Sequence, residues 1–377
     1  DHGAPFSPCS TRARQSASSA VSPSCKVVSD ISVSLDAMSG IDALLNARYA
    51  LWQPEKIMAL PPLFDKLRLP AVGAPQFIIA NPELVIAQCK AGIVGSFPAL
   101  NARPETTLDD WLYRIKDELA AYDEANPDAP AAPFAVNQIV HKTNARLDHD
   151  VAACVKHKVP IVITSLGARP EVNEAIHSYG GIVLHDIINI TFAKKALEKG
   201  ADGLIAVCAG AGGHAGALSP FALISEIREF FDGPLLVSGA IATGRGILAA
   251  QAMGADLAYM GSAFIATTEA NAPAAYKQMI VDSSAGDIVY SNLFTGVLGN
   301  YLKGSIVNAG MDPENLPQSD PSKMNFGGGE GSKAKAWKDI WGAGQGVGGV
   351  HEVVPTADFV ARLKREYDEA KRGLCAS

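Results

Sequence analysis

The segment GADGLIAVCAGAGGHAGALSP, residues 200–220, places a histidine in a glycine-rich loop directly after an apolar run. Glycine has no Cβ, so such a loop lets the backbone approach a flat ring closely. A neutral imidazole beside a ring cofactor can take a proton from a carbon acid or orient an anionic substrate. We therefore interpret His214 as a candidate catalytic base. The alternative is a loop histidine that only satisfies backbone groups.

Two further glycine-containing loops follow later runs of apolar residues. They are SGAIATGRG, residues 238–246, and GSA, residues 261–263. Barrel enzymes bind phosphate at such positions through backbone N–H groups and a helix N-terminus. A single loop of this kind is more often only a tight turn. Two loops on neighbouring strands favour a phosphorylated ligand.

The glycine-containing loops follow short apolar runs, which we interpret as strands. Their near-continuous Val, Ile and Leu content is typical of parallel strands buried on both faces. Amphipathic segments of helical length separate the runs, and several begin at a proline that suits the first helical turn, as after Asn81, Arg169 and Ser219. The eight runs lie at residues 71–77, 91–97, 134–140, 161–167, 181–187, 203–209, 234–240 and 257–265. Eight such units predict an α/β fold, a (β/α)8 TIM barrel, rather than an open doubly wound sheet.

The two ends of the chain are interpreted separately. Residues 1–57 are rich in Ser and Ala without a sustained period, and we take them as a disordered, processed or non-native extension. Residues 58–377 then form the catalytic domain. Within it, residues 269–283 are expected to form the last barrel helix, and the Gly-rich segment 325–350, with Trp337 and Trp341, to cover the barrel mouth.

Polar residues recur where the predicted strands end, and a TIM barrel gathers its chemistry at that end. We expect these side chains to face one cavity. For His141 and His185 a functional and a structural role are evenly balanced. The residues are Gln76, Asn137, His141, Thr164, Ser165, His185, Asp186, His214, Ser238 and Ser262.

The composition limits the class of ligand. A net charge of −7 without a long Lys/Arg run argues against nucleic acid or an anionic membrane surface as partner. No apolar run approaches the roughly 20 residues that cross a bilayer. The six cysteines contain no C-x-x-C pair, which favours a reducing, cytoplasmic location and no metal site. The composition therefore favours a small molecule as the ligand.

Several segments together carry a family resemblance. VGAP, GAGGHAG, VSGAIATGRGILAAQAMGADLAYMGSAFIATTEA and AWKDIWGAGQGVG resemble the nitronate monooxygenase, or 2-nitropropane dioxygenase-like, family over residues 65–370. The resemblance implies a barrel that binds FMN without a covalent link, with His214 as the base. It also implies the cofactor contacts: Ala74, Pro75 and Gln76 along the flavin, Gly212 and Gly213 beside the ring, and Ser238, Gly239, Gly261 and Ser262 at the phosphate. From their positions at strand ends, Asn137 and Asp186 are expected to contact the cofactor as well.

The chain departs from some relatives at two strand ends. Those relatives carry Lys or Gln against the flavin, where this chain has Asp186 and Val207. A carboxylate there opposes an anionic reduced flavin, which leaves the substrate and the electron donor open.

The activity that the resemblance implies is FMN-dependent oxidation of alkyl nitronates with O2 to a carbonyl compound and nitrite. The alternative is an NAD(P)H-dependent FMN reductase acting on quinones or enoyl thioesters. A barrel that binds FMN without turnover is a third possibility. We expect a monomer or homodimer whose partners are a small-molecule substrate and O2.

Overall fold

The computed structural model describes residues 60–319 and 338–376 of the 377-residue chain. The predicted extension 1–57 and residues 325–337 of the predicted lid, including Trp337, lie outside the described residues. In chain order the strands are β1 (Ala71–Gly73), β2 (Gly95–Pro98), β3 (Phe134–Ile139), β4 (Ile161–Ser165), β5 (Ile182–Ile187), β6 (Gly203–Val207), β7 (Gly213–His214), β8 (Leu235–Ser238), β9 (Leu257–Met260), β10 (Ile288–Ser291) and β11 (Gly299–Leu302).

The helices alternate with the strands, as the amphipathic segments predict. At the start of the first helix the Asn81 side chain accepts a hydrogen bond from the N–H of Leu84 (3.0 Å). Three helices begin with proline at their first position, as predicted. The helices are α1 (Pro82–Ala91), α2 (Thr107–Ala125), α3 (Leu147–His157), α4 (Pro170–His177), α5 (Ile190–Glu198), α6 (Pro220–Arg228), α7 (Gly244–Ala252), α8 (Ser262–Ile265), α9 (Ala274–Asp282), α10 (Lys303–Asn308) and α11 (Thr356–Cys375).

Strand β1 closes the main sheet into a barrel. The parallel strands follow one another in the order β1-β9-β8-β6-β5-β4-β3-β2. On one side of β1, the N–H of Ala74 donates to the carbonyl of Met260 in β9 (2.8 Å). On the other side, the N–H of Gly73 donates to the carbonyl of Val94 just before β2 (2.8 Å). Strand β1 is thus hydrogen-bonded to β9 on one side and to the residue before β2 on the other, which closes the sheet. The predicted (β/α)8 barrel is confirmed.

Side chains alternate between the barrel interior and the layer beneath the helices. The inward cluster includes Val72, Ala135, Ile163, Leu184, Ile205, Leu236 and Tyr259. Intervening residues such as Val162, Val183 and Val237 belong to the outer core. Continuing the inward alternation to the carboxyl ends of the strands gives Ala74, Asn137, Ser165, Asp186, Ser238 and Gly261. The barrel therefore points mostly small and polar side chains at one cavity.

A small antiparallel sheet stands beside the barrel. Strands β10 and β11 form a hairpin, and β11 pairs with β7, with Gly299 opposite His214 and Asn300 opposite Gly213. This hairpin was not among the predicted elements. Its consequence is that residues after the eighth barrel strand return to the loop that follows β6.

The C-terminal segment also folds back onto the barrel. The N–H of Leu302 donates to the carbonyl of Trp341 (2.8 Å), and the indole of Trp341 stacks on Tyr276 with ring centroids 4.7 Å apart. Trp341 therefore holds the described part of the predicted lid against α9 and β11.

Helix α11 completes the ring of helices around the barrel. The sequence predicts segment 269–283 in that place, and this prediction is wrong. It packs between α1 and α7, the helices that follow the first and seventh barrel strands. The Glu366 carboxylate accepts a hydrogen bond from the N–H of Gly244 at the start of α7 (2.7 Å). Helix α9, which lies in 269–283, packs instead against α8 and the C-terminal segment. Helix α11 buries Thr356, Phe359, Val360, Leu363 and Tyr367, whereas α9 buries only Tyr276 and Ile280.

Among the described residues, no helix is both long enough and apolar enough to cross a membrane.

Gly244 provides a test of how α11 is held. A Cβ at Gly244 would collide with backbone atoms of Leu363 and Tyr367, which cannot move as a flexible side chain does. We expect Gly244→Ala to lower the free energy of unfolding by about 1–3 kcal/mol, the usual range for overpacking. Urea titration followed by circular dichroism measures the change.

The matched control is Gly373→Ala in α11, where an added Cβ meets no atom within 4 Å. That variant should be neutral or stabilised, since Ala favours a helix over Gly. Equal effects of the two substitutions would contradict the close approach of α11 to α7.

Candidate active site

The residues after β1 form one wall of the cavity. The Gln76 carbonyl accepts a hydrogen bond from the Asn101 amide (2.9 Å), which holds the loop in place. The Oε1 atom of Gln76 is buried without a hydrogen-bond partner among the described residues. A Cβ added at Gly261 would lie 3.5 Å from the Ala74 Cβ and 3.7 Å from Gln76 Nε2. The predicted residues of the first and eighth barrel strands therefore lie together.

Three polar side chains form a hydrogen-bonded chain across the inward faces of β3, β4 and β5. The Asn137 amide donates to Ser165 Oγ (2.7 Å), and the Ser165 hydroxyl donates to Asp186 Oδ2 (2.5 Å). The second carboxyl oxygen, Oδ1, is buried without a partner among the described residues. Asn137 and Asp186, both predicted to contact the cofactor, are thus linked through Ser165.

The electrostatics of Asp186 are unusual for an aspartate. Burial raises its pKa to about 6, and the hydrogen bond from Ser165 only partly opposes that shift. The charge of Asp186 acts in turn on Tyr259, whose pKa is raised well above its usual value by burial first and by Asp186 second. Asp186 therefore ionises near pH 6, and only below that pH is it a neutral carboxyl group that does not oppose an anionic ring.

The glycine loops after β6, β8 and β9 are packed against the C-terminal segment. The N–H of Gly344 donates to Ser262 Oγ (2.7 Å), and the N–H of Gln345 donates to the carbonyl of Gly210 (2.9 Å). A Cβ on Gly212 would lie 2.8 Å from the backbone nitrogen of Gly344, so this approach requires glycine. The described end of the predicted lid, 338–350, thus lies directly on the strand ends.

The loop after β8 turns sharply at its predicted phosphate contact. Gly239 has φ +144°, and a Cβ there would lie 2.7 Å from the carbonyl oxygen of Ala209. This conformation is open to glycine and strained for other residues. It follows Ser238, the inward residue that ends β8. The loops after β6 and β8 are consequently in direct contact.

His214 lies in β7, at the edge of this glycine cluster. Its Nε2 atom is 2.9 Å from the Thr295 hydroxyl, which the hairpin β10–β11 supplies. Burial lowers the pKa of His214 to about 4. The imidazole is therefore uncharged at neutral pH.

The two other candidate histidines lie elsewhere. His185 follows Leu184 on β5 and so points outward, where its Nδ1 lies 2.6 Å from the Thr164 hydroxyl, and burial lowers its pKa to about 4. His141 lies in the loop after β3, with Nδ1 2.9 Å from the Thr143 hydroxyl. The expectation that Thr164 and His185 face the cavity is wrong, because neighbouring residues of a strand point to opposite sides.

Sequence reasoning missed Thr295. Its hairpin has a recognisable signal, since IVYS and GNYL are short runs with β-branched or aromatic residues on either side of a glycine-containing turn. The contact itself has no local signal, because Thr295 is 81 positions from His214.

The comparisons with known proteins agree with this architecture. A family model described as nitronate monooxygenase matches residues 63–365. The chain belongs to the nitronate monooxygenase family. It is 26% identical to a nitronate monooxygenase of Paraburkholderia phytofirmans over 355 residues, which cover 83% of this chain and 95% of the relative. As a member of this family, the protein is a flavin-dependent oxidoreductase.

Solved structures show the same fold. Nitroalkane oxidase from Streptomyces ansochromogenes superposes with a TM-score of 0.69 at 23% identity, covering 83% of this chain and all of that chain. FabK from Thermotoga maritima superposes with a TM-score of 0.65 at 22% identity, covering 83% of this chain and 97% of that chain. At these identities the likeness concerns the barrel and not the reaction.

The residues present fit a flavin. Gln76 Oε1 and Asp186 Oδ1 are buried polar atoms without a protein partner among the described residues, and both belong to the carboxyl end of the barrel. An isoalloxazine ring carries hydrogen-bonding groups along its pyrimidine edge that suit such atoms.

The raised pKa of Asp186 leads to a test of this network. An aspartate whose pKa is higher in the folded than in the unfolded protein destabilises the fold once it ionises, so its penalty appears as pH rises through about 6. We expect Asp186→Asn, which keeps an oxygen for Ser165, to be more stabilising at pH 8 than at pH 5. Urea titrations at the two pH values measure the difference.

Asp287→Asn is the control. Hydrogen bonds from the backbone and side chain of Ser284 hold the pKa of Asp287 below its usual value, so its carboxylate is ionised at both pH values. Its substitution should change stability equally at pH 5 and pH 8. A pH-independent effect of Asp186→Asn would show that Asp186 is ionised in both conditions.

Proposed function

We propose that this protein is an FMN-dependent nitronate monooxygenase that oxidises alkyl nitronates, and more slowly nitroalkanes, with O2 to a carbonyl compound and nitrite. The observation that carries the proposal is the position of His214. A half-buried, uncharged imidazole lies next to glycine loops on a barrel of the nitronate monooxygenase family. This arrangement supplies a proton acceptor beside a place for a flat ring.

We assign the cofactor contacts to the residues that the structure gathers at the strand ends. The ring contacts are Ala74, Pro75 and Gln76 with Asn137, Asp186, Gly212 and Gly213, and the phosphate contacts are Ser238, Gly239, Gly261 and Ser262. Bound FMN would supply the redox chemistry by accepting electrons from the organic substrate and passing them to O2.

His214 would act on the proton of the substrate carbon. With a pKa lowered to about 4, the imidazole is unprotonated at neutral pH and available as an acceptor, although it is a weak base. Removing a proton from a neutral nitroalkane is therefore difficult for this residue, whereas an alkyl nitronate has already lost that proton. The nitronate is therefore the better substrate.

Replacement of the histidine tests the proposed base. We expect His214→Asn to retain bound FMN while its turnover of neutral nitroethane falls by about 100-fold or more, the usual contribution of a general base. Flavin absorbance of the purified variant and oxygen consumption measure the two quantities. His185→Asn is the matched control, since that histidine points away from the cavity. Unchanged nitroethane turnover in His214→Asn would contradict the assignment of His214 as the base.

Anaerobic mixing tests the reaction itself. The FMN-loaded protein is mixed separately with propyl nitronate, NADH and NADPH while flavin absorbance is followed. We expect bleaching by propyl nitronate and none by the nicotinamides. Bleaching by a nicotinamide alone would instead identify an NAD(P)H-dependent reductase acting on quinones or enoyl thioesters. A flavin that no donor reduces would indicate a barrel without turnover.

A further inference from the structure

The two oxygens of the Asp186 carboxyl group have different surroundings. Oδ2 accepts a hydrogen bond from the Ser165 hydroxyl (2.5 Å), and Ser165 Oγ accepts one from the Asn137 amide (2.7 Å). Oδ1 is buried without a hydrogen-bond partner among the described residues. One oxygen is therefore held by the protein, and the other is left for a proton or a ligand.

The Asn137 amide fixes the direction of the hydrogen bonds in this chain. Its Nδ2 atom also lies 3.2 Å from the carbonyl oxygen of Ile163, which can only accept. The NH2 group of Asn137 therefore donates both to Ile163 and to Ser165. Ser165 then directs its single hydroxyl proton at Asp186 Oδ2. A proton that binds to Asp186 consequently sits on Oδ1.

The barrel interior around Asp186 supplies no cation. Among the inward residues of the described barrel strands there is no Lys, Arg or His. Tyr259 on β9 is the titratable group that shares this interior, and it stays protonated because burial first and the Asp186 charge second raise its pKa well above the usual value. Burial therefore dominates at Asp186 and raises its pKa to about 6. The inward residues of the two strands beside β5 do not titrate: Ile163 and Ser165 on β4, and Ile205 and Val207 on β6.

A further negative charge next to this carboxylate would favour its protonation, since like charges in a buried site oppose each other. Reduction of FMN by two electrons with uptake of one proton adds such a charge to the ring. We propose that Asp186 takes up one proton at Oδ1 on reduction of bound FMN and releases it on reoxidation, and that Ser165 is the positioning residue for this exchange.

The inference deepens the proposed function and rests on it for the contact between Asp186 and the ring. The exchange is balanced in charge. Two electrons and one proton go to the cofactor, and a second proton goes from solvent to Asp186. The summed charge of the ring and the carboxyl group is thus the same before and after reduction.

Infrared difference spectroscopy of the FMN-loaded protein tests the proton uptake directly. At pH 7 we expect electrochemical reduction to produce the C=O stretching band of a protonated carboxyl group. Asp186→Asn should lack this band, because its amide cannot take up the proton. A parent protein without the band, or a band of equal size in Asp186→Asn, would overturn the inference.

The midpoint potential of the bound FMN gives a second readout that does not depend on turnover. Each proton taken up with two electrons lowers the potential by about 30 mV per pH unit, which is a tenfold change for a two-electron couple. The potential of the parent minus that of Asp186→Asn should be constant below about pH 6, where Asp186 is protonated in both redox states. Above that pH the difference should fall by this amount per pH unit. A difference that is independent of pH contradicts the proposal.

Ser165→Ala separates positioning from a structural role. The Ser165 hydroxyl lowers the pKa of Asp186 from the value that burial alone would give. Its removal should therefore move the pH at which the potential begins to fall more steeply to a higher value and leave the slope above it unchanged. Ser96→Ala is the matched control, since that buried hydroxyl on β2 donates to the carbonyl of Gly73 (2.5 Å). Equal behaviour of the two variants would show that Ser165 does not position Asp186.

The proposed function can fail separately. FMN that is reduced at the electrode but not by propyl nitronate contradicts the proposed reaction and leaves both measurements on Asp186 in force. For a protein that binds no FMN, ¹³C NMR of the aspartate carboxyl groups still gives the pKa of Asp186, with Asp186→Asn identifying the signal. We expect a pKa of about 6 in the parent and a higher one in Ser165→Ala. Identical pKa values in the two proteins would overturn the role of Ser165.

Discussion

The closure of the barrel through β1 is the constraint on which the site depends. Hydrogen bonds from Gly73 to Val94 on one side and from Ala74 to Met260 on the other make the sheet continuous. In a closed parallel barrel the carboxyl ends of all strands meet around one axis. Residues as distant in the chain as Gln76 and Gly261 are neighbours only because of this closure.

Close backbone contact is the second requirement, and it explains the glycines. Gly212 lies against Ser262, Gly239 against Ala209, and Gly344 against Gly210, each at a distance that a Cβ would not permit. The loops after β6, β8 and β9 and the C-terminal segment form one layer as a result. Helix α11 supports the same layer from outside, since Glu366 binds the start of the helix that follows the β8 loop.

Much of the barrel could be predicted from the sequence, because its signals are local. Runs of Val, Ile and Leu gave the eight strands, and prolines marked helix starts such as those at Pro82 and Pro220. Alternation along β5 would also have separated His185 from Asp186, since adjacent residues cannot both face the cavity. The docking of α11 and the contact between Thr295 and His214 depend on long-range packing, for which a single sequence has no local pattern.

Two separate parts of the chain build the site, because Thr295 comes from the hairpin β10–β11 and not from the barrel. The barrel strands and their glycine loops frame the cavity, whereas the side-chain partner of the candidate base arrives from an appended sheet. A substitution at Thr295 can therefore change the surroundings of His214 without replacing a residue of the barrel strands. The two parts still move together, because the Asn300 amide of the hairpin donates to the carbonyl of Ala211 in the loop after β6.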